Sequence, residues 1–232
     1  MPAQNATNWM RVGLFALPVS GALIAWSSLD PQPDQAEHPE AWARFVGSNH
    51  YLLTHVFGSM GSALLAILGV FALGAYLANG RAGRLGLAAM VVTVVGQALS
   101  LVIGGVSTFA LNAIGRAYLA GVQGVMRLEF SSAMSVLFGL AILLLVVGNV
   151  LLGVAVWRSG TLPRWAGAAW VASALVFYVF GAVLGMATTG ASLPTQPLGG
   201  LLMVAGGGWM AWSVLRRPSA EAVGVQAQPS VP

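Results

Sequence analysis

Hydrophobic residues occupy six long stretches of the chain, and polar residues, Gly and Pro collect in the segments between them. A helix needs about 20 apolar residues to cross the hydrocarbon core of a bilayer, and each stretch reaches or approaches this length. The pattern predicts six transmembrane helices, at 9–29, 51–78, 85–109, 130–157, 165–187 and 197–215. Arg11 before the first stretch would also suit a signal peptide, but no clear small-residue cleavage site follows, so we expect a retained helix. Pro18 should bend that helix without ending the span.

Composition assigns most of the chain to lipid rather than to water. Hydrophobic residues make up 57% of the sequence and charged residues 7%, whereas about a quarter of a soluble domain is charged. We therefore predict an all-α, polytopic membrane helical bundle that forms one domain over 1–217, with an external loop at 30–50. The tail at 218–232 contains Pro, Ala, Gln and Ser without apolar periodicity, so we expect it to be disordered.

The positions of the arginines predict the orientation of the chain. With six spans, the turns after the second and fourth helices and the C-terminal tail share one side of the membrane. Their arginines are Arg81, Arg84, Arg158, Arg164, Arg216 and Arg217. The other side receives the acidic segment 30–47 and a loop at 110–128. Because positive charge marks the cytoplasmic side, we expect both termini in the cytoplasm.

Glycines recur at close spacing in the predicted helices, for example at Gly104 and Gly105 and at Gly199 and Gly200. In lipid, small residues allow helix backbones to approach closely. The pattern therefore predicts a tight bundle. The same Gly-rich helix faces would also suit a second copy of the chain or a partner membrane subunit.

A faint internal repeat relates 57–86 to 138–167. Both segments begin with Phe-Gly, contain two glycines five residues apart, and end in a turn from Gly to Arg. A duplication would superpose helices two and three on helices four and five by rotation about the membrane normal, with Gly74 over Gly153, as in some transporters. The alternative is that helices built from Leu, Val and Gly resemble one another by composition alone.

Two of the three histidines, His50 and His55, begin the second predicted helix; the third is His38. Positions five residues apart differ by about 140° around an α-helix, so His50 and His55 cannot bind one metal ion together. We expect His50 at the level of the headgroups, where Ser48 or Asn49 supplies the N-cap.

His55 is the candidate cofactor-binding residue. A lipid-facing imidazole would leave two polar nitrogens unpaired, so we expect His55 to point into the bundle and to hydrogen-bond near Ser107 or Glu129. The alternatives are a cofactor contact, with haem b as the cofactor, and a proton-transfer group. The interpretation that we favour is a buried polar contact without cofactor or metal.

The predicted helices contain few other polar residues, and among them the amides Gln97 and Asn149 lie deepest. They either hydrogen-bond across helices or line a small polar cavity, and together with Ser107 and Glu129 they are our candidate ligand-binding residues. No Asp, Glu or Arg lies at mid-depth, which argues against a proton-coupled pump or a carrier of charged substrates. The absence of Cys excludes thiolate metal sites. The acidic segment 30–47 is interpreted as a solvated loop, with cation binding as the alternative.

The turn SGTLPRWAG at 159–167 lies between two apolar helices in a chain that is rich in Gly and has Arg but no Lys. In these features the chain resembles uncharacterised six-helix integral membrane proteins of high-GC bacteria such as actinobacteria. The resemblance implies this fold and a bacterial inner membrane as the location, and it assigns no functional residue.

Three functional classes are compatible with the sequence. We favour a non-catalytic membrane protein that binds a small apolar molecule or a partner subunit, because its helix faces are rich in Gly and poor in polar groups. The second class is a channel or carrier for a small neutral solute, which the repeat supports. The third is a haem- or quinone-linked redox protein, which depends on His55. No basic patch suggests a nucleic-acid partner.

Overall fold

The structure, a computed structural model, describes residues 9–78, 80–128, 131–189 and 192–216, and within them it is helical without strands. Six of the helices are long and apolar enough to cross a membrane, which confirms the predicted all-α bundle of six spans. These are α1 (Trp9–Ser27), α3 (Asn49–Ala78), α4 (Gly83–Leu119), α5 (Ser132–Ser159), α6 (Arg164–Thr188) and α7 (Thr195–Leu215). A shorter helix, α2 (Pro39–Val46), lies between α1 and α3. The candidate site residue Glu129 and the predicted disordered tail at 218–232 lie outside the described residues.

The bundle has two different ends. The short-turn end carries the turns at 80–82 and 160–163, and the long-loop end carries 28–48 and 120–128. Gly207 of α7 lies against Leu17 of α1, and Gly200 lies against Ala25, so these two helices run antiparallel. Residues 9 and 216 therefore share the short-turn end, as six spans require. Which end faces the cytoplasm stays a prediction.

Helix α1 is interrupted at Leu14 and Phe15. Pro18 lacks an N–H, and its ring crowds the carbonyl group four residues earlier, which is that of Leu14. This carbonyl oxygen instead accepts a hydrogen bond from the backbone N–H of Leu17, at 3.2 Å. The proline thus interrupts the helix and leaves the span in place.

Helix α4 is longer than predicted. It contains 37 residues, or about 55 Å of helix, whereas the hydrocarbon core is about 30 Å thick. The prediction that residues 110–119 belong to a loop was therefore wrong. These residues extend the helix beyond the apolar span because α2 packs against them: Asn112 Nδ2 donates to the carbonyl oxygen of Val46 at 2.6 Å, and Arg116 Nε donates to that of Gly47 at 3.1 Å.

The segment 30–47 is only partly the solvated loop that we predicted. Its second half forms α2, which buries Trp42 and Val46 against α4. Two carboxylates of this segment have side-chain partners within the chain: His50 Nε2 donates to Asp30 at 2.8 Å, and Arg44 pairs with Glu40 at 3.1 Å. In the described part of the chain, no three residues of the His, Cys, Asp and Glu types lie close enough to hold a metal ion.

The half of the bundle next to the short-turn end is a solid apolar core. Its most deeply buried large side chains, each at most 3% exposed, include Leu14, Leu73, Leu77, Leu152, Val156, Met210 and Val214. Glycines bring the backbones close together there: a Cβ added at Gly148 of α5 would lie 2.7 Å from the backbone nitrogen of Thr93 in α4. This close approach of the backbones allows dispersion contacts between the helices. These contacts hold helices together in lipid, where the hydrophobic effect between helices is absent.

An equivalent contact between two helices occurs within each hairpin of the predicted repeat. Gly74 of α3 lies against Met90 of α4, and Gly153 of α5 lies against Val171 of α6. Met90 and Val171 each follow the end of their copy of the repeat by four residues. The superposition of the two hairpins by a rotation about the membrane normal stays a prediction.

Candidate functional site

A cavity of about 270 Å³ lies in the half of the bundle next to the long-loop end. Its walls combine apolar side chains with polar groups from five of the six spans. The polar groups include Ser20, Ser62, Gln97, Ser100, Asn149 and Tyr178. The structure thus brings together four of the five residues that the sequence singled out, namely His55, Gln97, Ser107 and Asn149, in the lining of one cavity. The fifth, Glu129, is not among the described residues.

Two of the spans contain π-helical segments, and both segments border this cavity. The first, Thr54–Met60 in α3, contributes His55, Ser59 and Met60 to the lining, and the second, Leu175–Leu184 in α6, contributes Phe177 and Tyr178. A π-helix is rare and occurs frequently at functional sites. No feature of the sequence indicated either segment.

His55 is half-buried in the lining, but its hydrogen bond differs from the predicted one. Its Nδ1 lies 3.0 Å from the carbonyl oxygen of Tyr51, one turn earlier on the same helix, and the two rings stack with centroids 4.0 Å apart. No hydrogen bond joins His55 and Ser107, whose hydroxyl donates to the carbonyl oxygen of Gly104 at 3.2 Å. Glu129, the other predicted partner, lies outside the described residues.

The contact with Tyr51 determines the role of each ring nitrogen of His55. A carbonyl oxygen can only accept, so Nδ1 carries the proton and donates to it. In the neutral imidazole, Nε2 is then a hydrogen-bond acceptor. No hydrogen bond to Nε2 is formed within the described residues, and the ring borders the cavity.

Asn149 hydrogen-bonds across helices and also lines the cavity, so both alternatives from the sequence hold for it, whereas Gln97 lines the cavity. Asn149 Oδ1 accepts from the indole Nε1 of Trp170 at 2.9 Å, and Asn149 Nδ2 donates to the carbonyl oxygen of Leu145 at 2.8 Å. Gln97 lies beside the hydroxyl of Tyr178 on α6. Sequence reasoning missed Trp170 as a partner, although a Trp at mid-helix needs an acceptor for its N–H when it is buried.

A second cavity, of about 840 Å³, lies above the first, between α2 and the membrane helices. We call it the vestibule. It is lined by the segment 32–42 and by parts of α3, α4 and α5, and it shares His55, Ser107 and Phe138 with the central cavity. These three residues therefore form the junction between the vestibule and the central cavity, while the apolar core closes the opposite end.

The lining of the central cavity suits an uncharged ligand, which we call the guest. Of the described residues that line the central cavity, none is Asp, Glu, Lys or Arg. The vestibule adds the carboxylate of Asp34, whose Oδ1 already accepts from the backbone nitrogens of Ala36 at 2.7 Å and Glu37 at 2.8 Å. A charged guest would lose its hydration without gaining a counter-charge in the central cavity.

No protein-family model, curated protein or solved structure matches the chain.

Proposed function

We propose that this multi-pass membrane protein is a binding protein for a small, uncharged molecule that carries a hydrogen-bond donor. The observation that carries the proposal is His55, whose Nε2 is an acceptor without a partner among the described residues, at the junction of the vestibule and the central cavity. A hydroxyl group on the guest would satisfy this nitrogen. The favoured class from the sequence, a protein that binds an apolar molecule, is thereby narrowed to molecules with one polar end.

The volume of the central cavity limits the size of the guest. Sites for drug-sized ligands have volumes of roughly 300–1,000 Å³, and the central cavity, at about 270 Å³, lies just below this range. Some of its polar groups already pair with one another, as Asn149 does with Trp170. The guest therefore fits as a compact apolar body with its donor at the His55 end.

A carrier for the same kind of molecule is the second candidate. The observation that favours it is the shared contact in the two hairpins, Gly74 against Met90 and Gly153 against Val171, since paired repeats allow one half of a transporter to rock against the other. Transport would require the apolar core at the short-turn end to open. Solute flux into proteoliposomes separates the carrier from the binding protein.

We also propose that the protein lies in a bacterial inner membrane with the long-loop end outside. Arginine placement supports this orientation, because Arg81, Arg84, Arg158 and Arg164 belong to the short-turn end. The vestibule would then face the exterior.

Thermal unfolding in nanodiscs tests the proposed binding function. Cyclohexanol, which has a donor, is compared with methoxycyclohexane, a similar molecule without one, because both perturb the lipid similarly. A ligand at ten times its dissociation constant stabilises the folded state by about 1.4 kcal/mol. We expect stabilisation by the alcohol alone.

The matched variants are His55→Phe, which removes the acceptor and keeps a ring beside Tyr51, and His50→Phe at the exposed His50. The loss of one hydrogen bond should weaken alcohol binding about 2- to 10-fold in His55→Phe and leave it unchanged in His50→Phe. Equal effects of alcohol and ether on the unmodified protein would contradict the proposal. A Soret band in the purified protein that disappears in His55→Ala would favour the haem b alternative instead.

A further inference from the structure

Helices α4 and α5 are closely packed in one half of the bundle and separate in the other. Near mid-depth, a Cβ added at Gly96 of α4 would lie 3.0 Å from the backbone nitrogen of Leu145, and one at Gly148 of α5 would lie 2.7 Å from that of Thr93. Near the long-loop end, a Cβ at Gly104 of α4 or Gly139 of α5 would meet no described atom within 4 Å. The two helices therefore enclose a wedge-shaped opening, which we call the cleft.

The first turns of α5 have few neighbours among the described residues. All residues from 135 to 140 are exposed, and Val136 is 69% exposed. A helix inside a bundle buries at least one stripe of side chains. Here no stripe is buried, so the cleft opens sideways to lipid between α4 and α5.

The cleft is continuous with the central cavity. It has a volume of about 480 Å³, and its walls include Ser100, Gly104, Ser107, Ser135, Phe138 and Met186. Four of these residues, Ser100, Gly104, Ser107 and Phe138, also line the central cavity. A molecule dissolved in the membrane can thus reach the cavity through the cleft, which also adjoins the vestibule at Ser107, Leu111, Phe138 and Met186.

The depth of the cleft matches that of a lipid headgroup. Twenty residues separate Arg84 from Gly104, and twenty separate Arg158 from Phe138. Twenty helical residues span about 30 Å, the thickness of the hydrocarbon core. With the arginines at one membrane surface, the cleft lies where hydrocarbon meets headgroups in the opposite leaflet, and Gln97 and Asn149 lie deeper.

We propose that the ligand is a neutral, single-chain amphiphile with a hydroxyl headgroup, which moves sideways through the cleft from the leaflet at the long-loop end. This inference rests on the proposed function. The headgroup bonds to His55 Nε2 at the junction, and the apolar chain points toward the membrane centre in the central cavity, as it does in the leaflet. The amphiphile therefore keeps its orientation as it moves from lipid to protein. The absence of a charged side chain from the described lining of the cleft and the central cavity favours a neutral headgroup over a carboxylate or an amine.

The chain has no Cys, so a single introduced cysteine can close the cleft after folding. Ser135 lines the cleft and neither the cavity nor the vestibule, and the adjacent Val136 lines none of them. Ser135→Cys and the control Val136→Cys are each reconstituted as full chains in nanodiscs and reacted with a bulky maleimide. Since the modification follows folding, a failure to fold cannot imitate a closed cleft.

The probe is a decanol with a diazirine in its chain, dissolved in the lipid, and mass spectrometry measures covalent labelling of the cavity and cleft peptides after illumination. We expect labelling by the alcohol to exceed labelling by the corresponding methyl ether and decanoate probes. Labelling by the alcohol should fall about tenfold in the modified Ser135→Cys protein and should be unchanged in the modified Val136→Cys protein. Stabilisation by cyclohexanol, which dissolves in water and can use the vestibule, should persist in both.

The two proposals fail in different ways. If decanol labels modified Ser135→Cys as strongly as the control while cyclohexanol still stabilises the protein, access is through the vestibule and the inference is wrong. Stronger labelling by decanoate than by decanol would also overturn it. If neither alcohol binds the unmodified protein, the proposed function itself is wrong.

Discussion

The hydrogen bond between Asn149 and Trp170 should contribute measurably to the stability of the bundle. Both side chains are 2% exposed, and the indole Nε1 donates to Asn149 Oδ1 at 2.9 Å across α5 and α6. Asn149→Leu keeps the branched shape of the side chain, with larger terminal groups, and leaves the indole N–H without this acceptor. An unsatisfied buried donor costs about 1–3 kcal/mol, and hydrogen bonds between membrane helices contribute about 0.6 kcal/mol on average, up to about 1.7. We expect Asn149→Leu to lower the free energy of unfolding by about 1–3 kcal/mol.

A double-mutant cycle with Trp170→Phe isolates the bond from the other effects of each substitution. Trp170→Phe removes the N–H and leaves a small void, which adds its own cost. The double variant should be more stable than the sum of the single effects predicts, by about 0.6–1.7 kcal/mol. Equilibrium unfolding in mixed micelles of increasing SDS fraction measures all four proteins.

The same substitution at an exposed tryptophan is the control. Trp209 is 49% exposed, so Trp209→Phe should change stability by less than about 0.5 kcal/mol and should not couple to Asn149→Leu. A coupling energy between positions 149 and 170 below about 0.3 kcal/mol lies within ordinary additivity and would refute the argument.

Three further predictions concern packing, helix α2 and topology. Gly148→Ala should destabilise the protein by about 1–3 kcal/mol, because its Cβ would lie 2.7 Å from the Thr93 nitrogen. Gly139→Ala places its Cβ in open space and should be neutral or stabilising. Thermal unfolding compares the two variants. Arg116→Ala removes hydrogen bonds to Gly47 and Asn49 at 3.1 and 2.9 Å, so a protease should cut the segment 30–47 faster than in the unmodified protein. The control is Arg44→Ala, which loses only an exposed ion pair and should be cut at the unmodified rate. Equal cleavage rates in the two variants would disprove the role of Arg116 in holding α2. In intact cells, a membrane-impermeant maleimide should label Gln35→Cys and spare Arg81→Cys, and the reverse pattern would invert the proposed orientation.

The sequence alone determined the class of fold, the number of spans and their approximate bounds. These depend on the length of apolar stretches, which is a local property set by the thickness of the bilayer. The predicted helix 51–78 thus matches the observed α3, Asn49–Ala78, within two residues. The extension of α4 to Leu119 was missed because α2 packs against a stretch that is not apolar enough to belong to a span.

Sequence also selected residues of the candidate site by type and depth. Gln97 and Asn149 stand out because polar side chains are costly in hydrocarbon and must find partners. Their partners could not be predicted, since Trp170 is 21 residues from Asn149, and any mid-depth polar group on a neighbouring helix would have been equally suitable.

Only the tertiary structure decided which faces of the helices turn inward and where the helices separate. Helices that are apolar all around have no amphipathic phase, so their sequence does not indicate the face that packs. The orientation of each span depends on its neighbours, as at Gly148, which is packed against Thr93, and Gly104, which is open, although both are glycines in apolar helices. The π-helical turns at His55 and Tyr178 belong to the same category, because the backbone adopts them only in the context of the packed bundle. The cavity, its junction at His55 and the cleft to lipid are consequences of this packing.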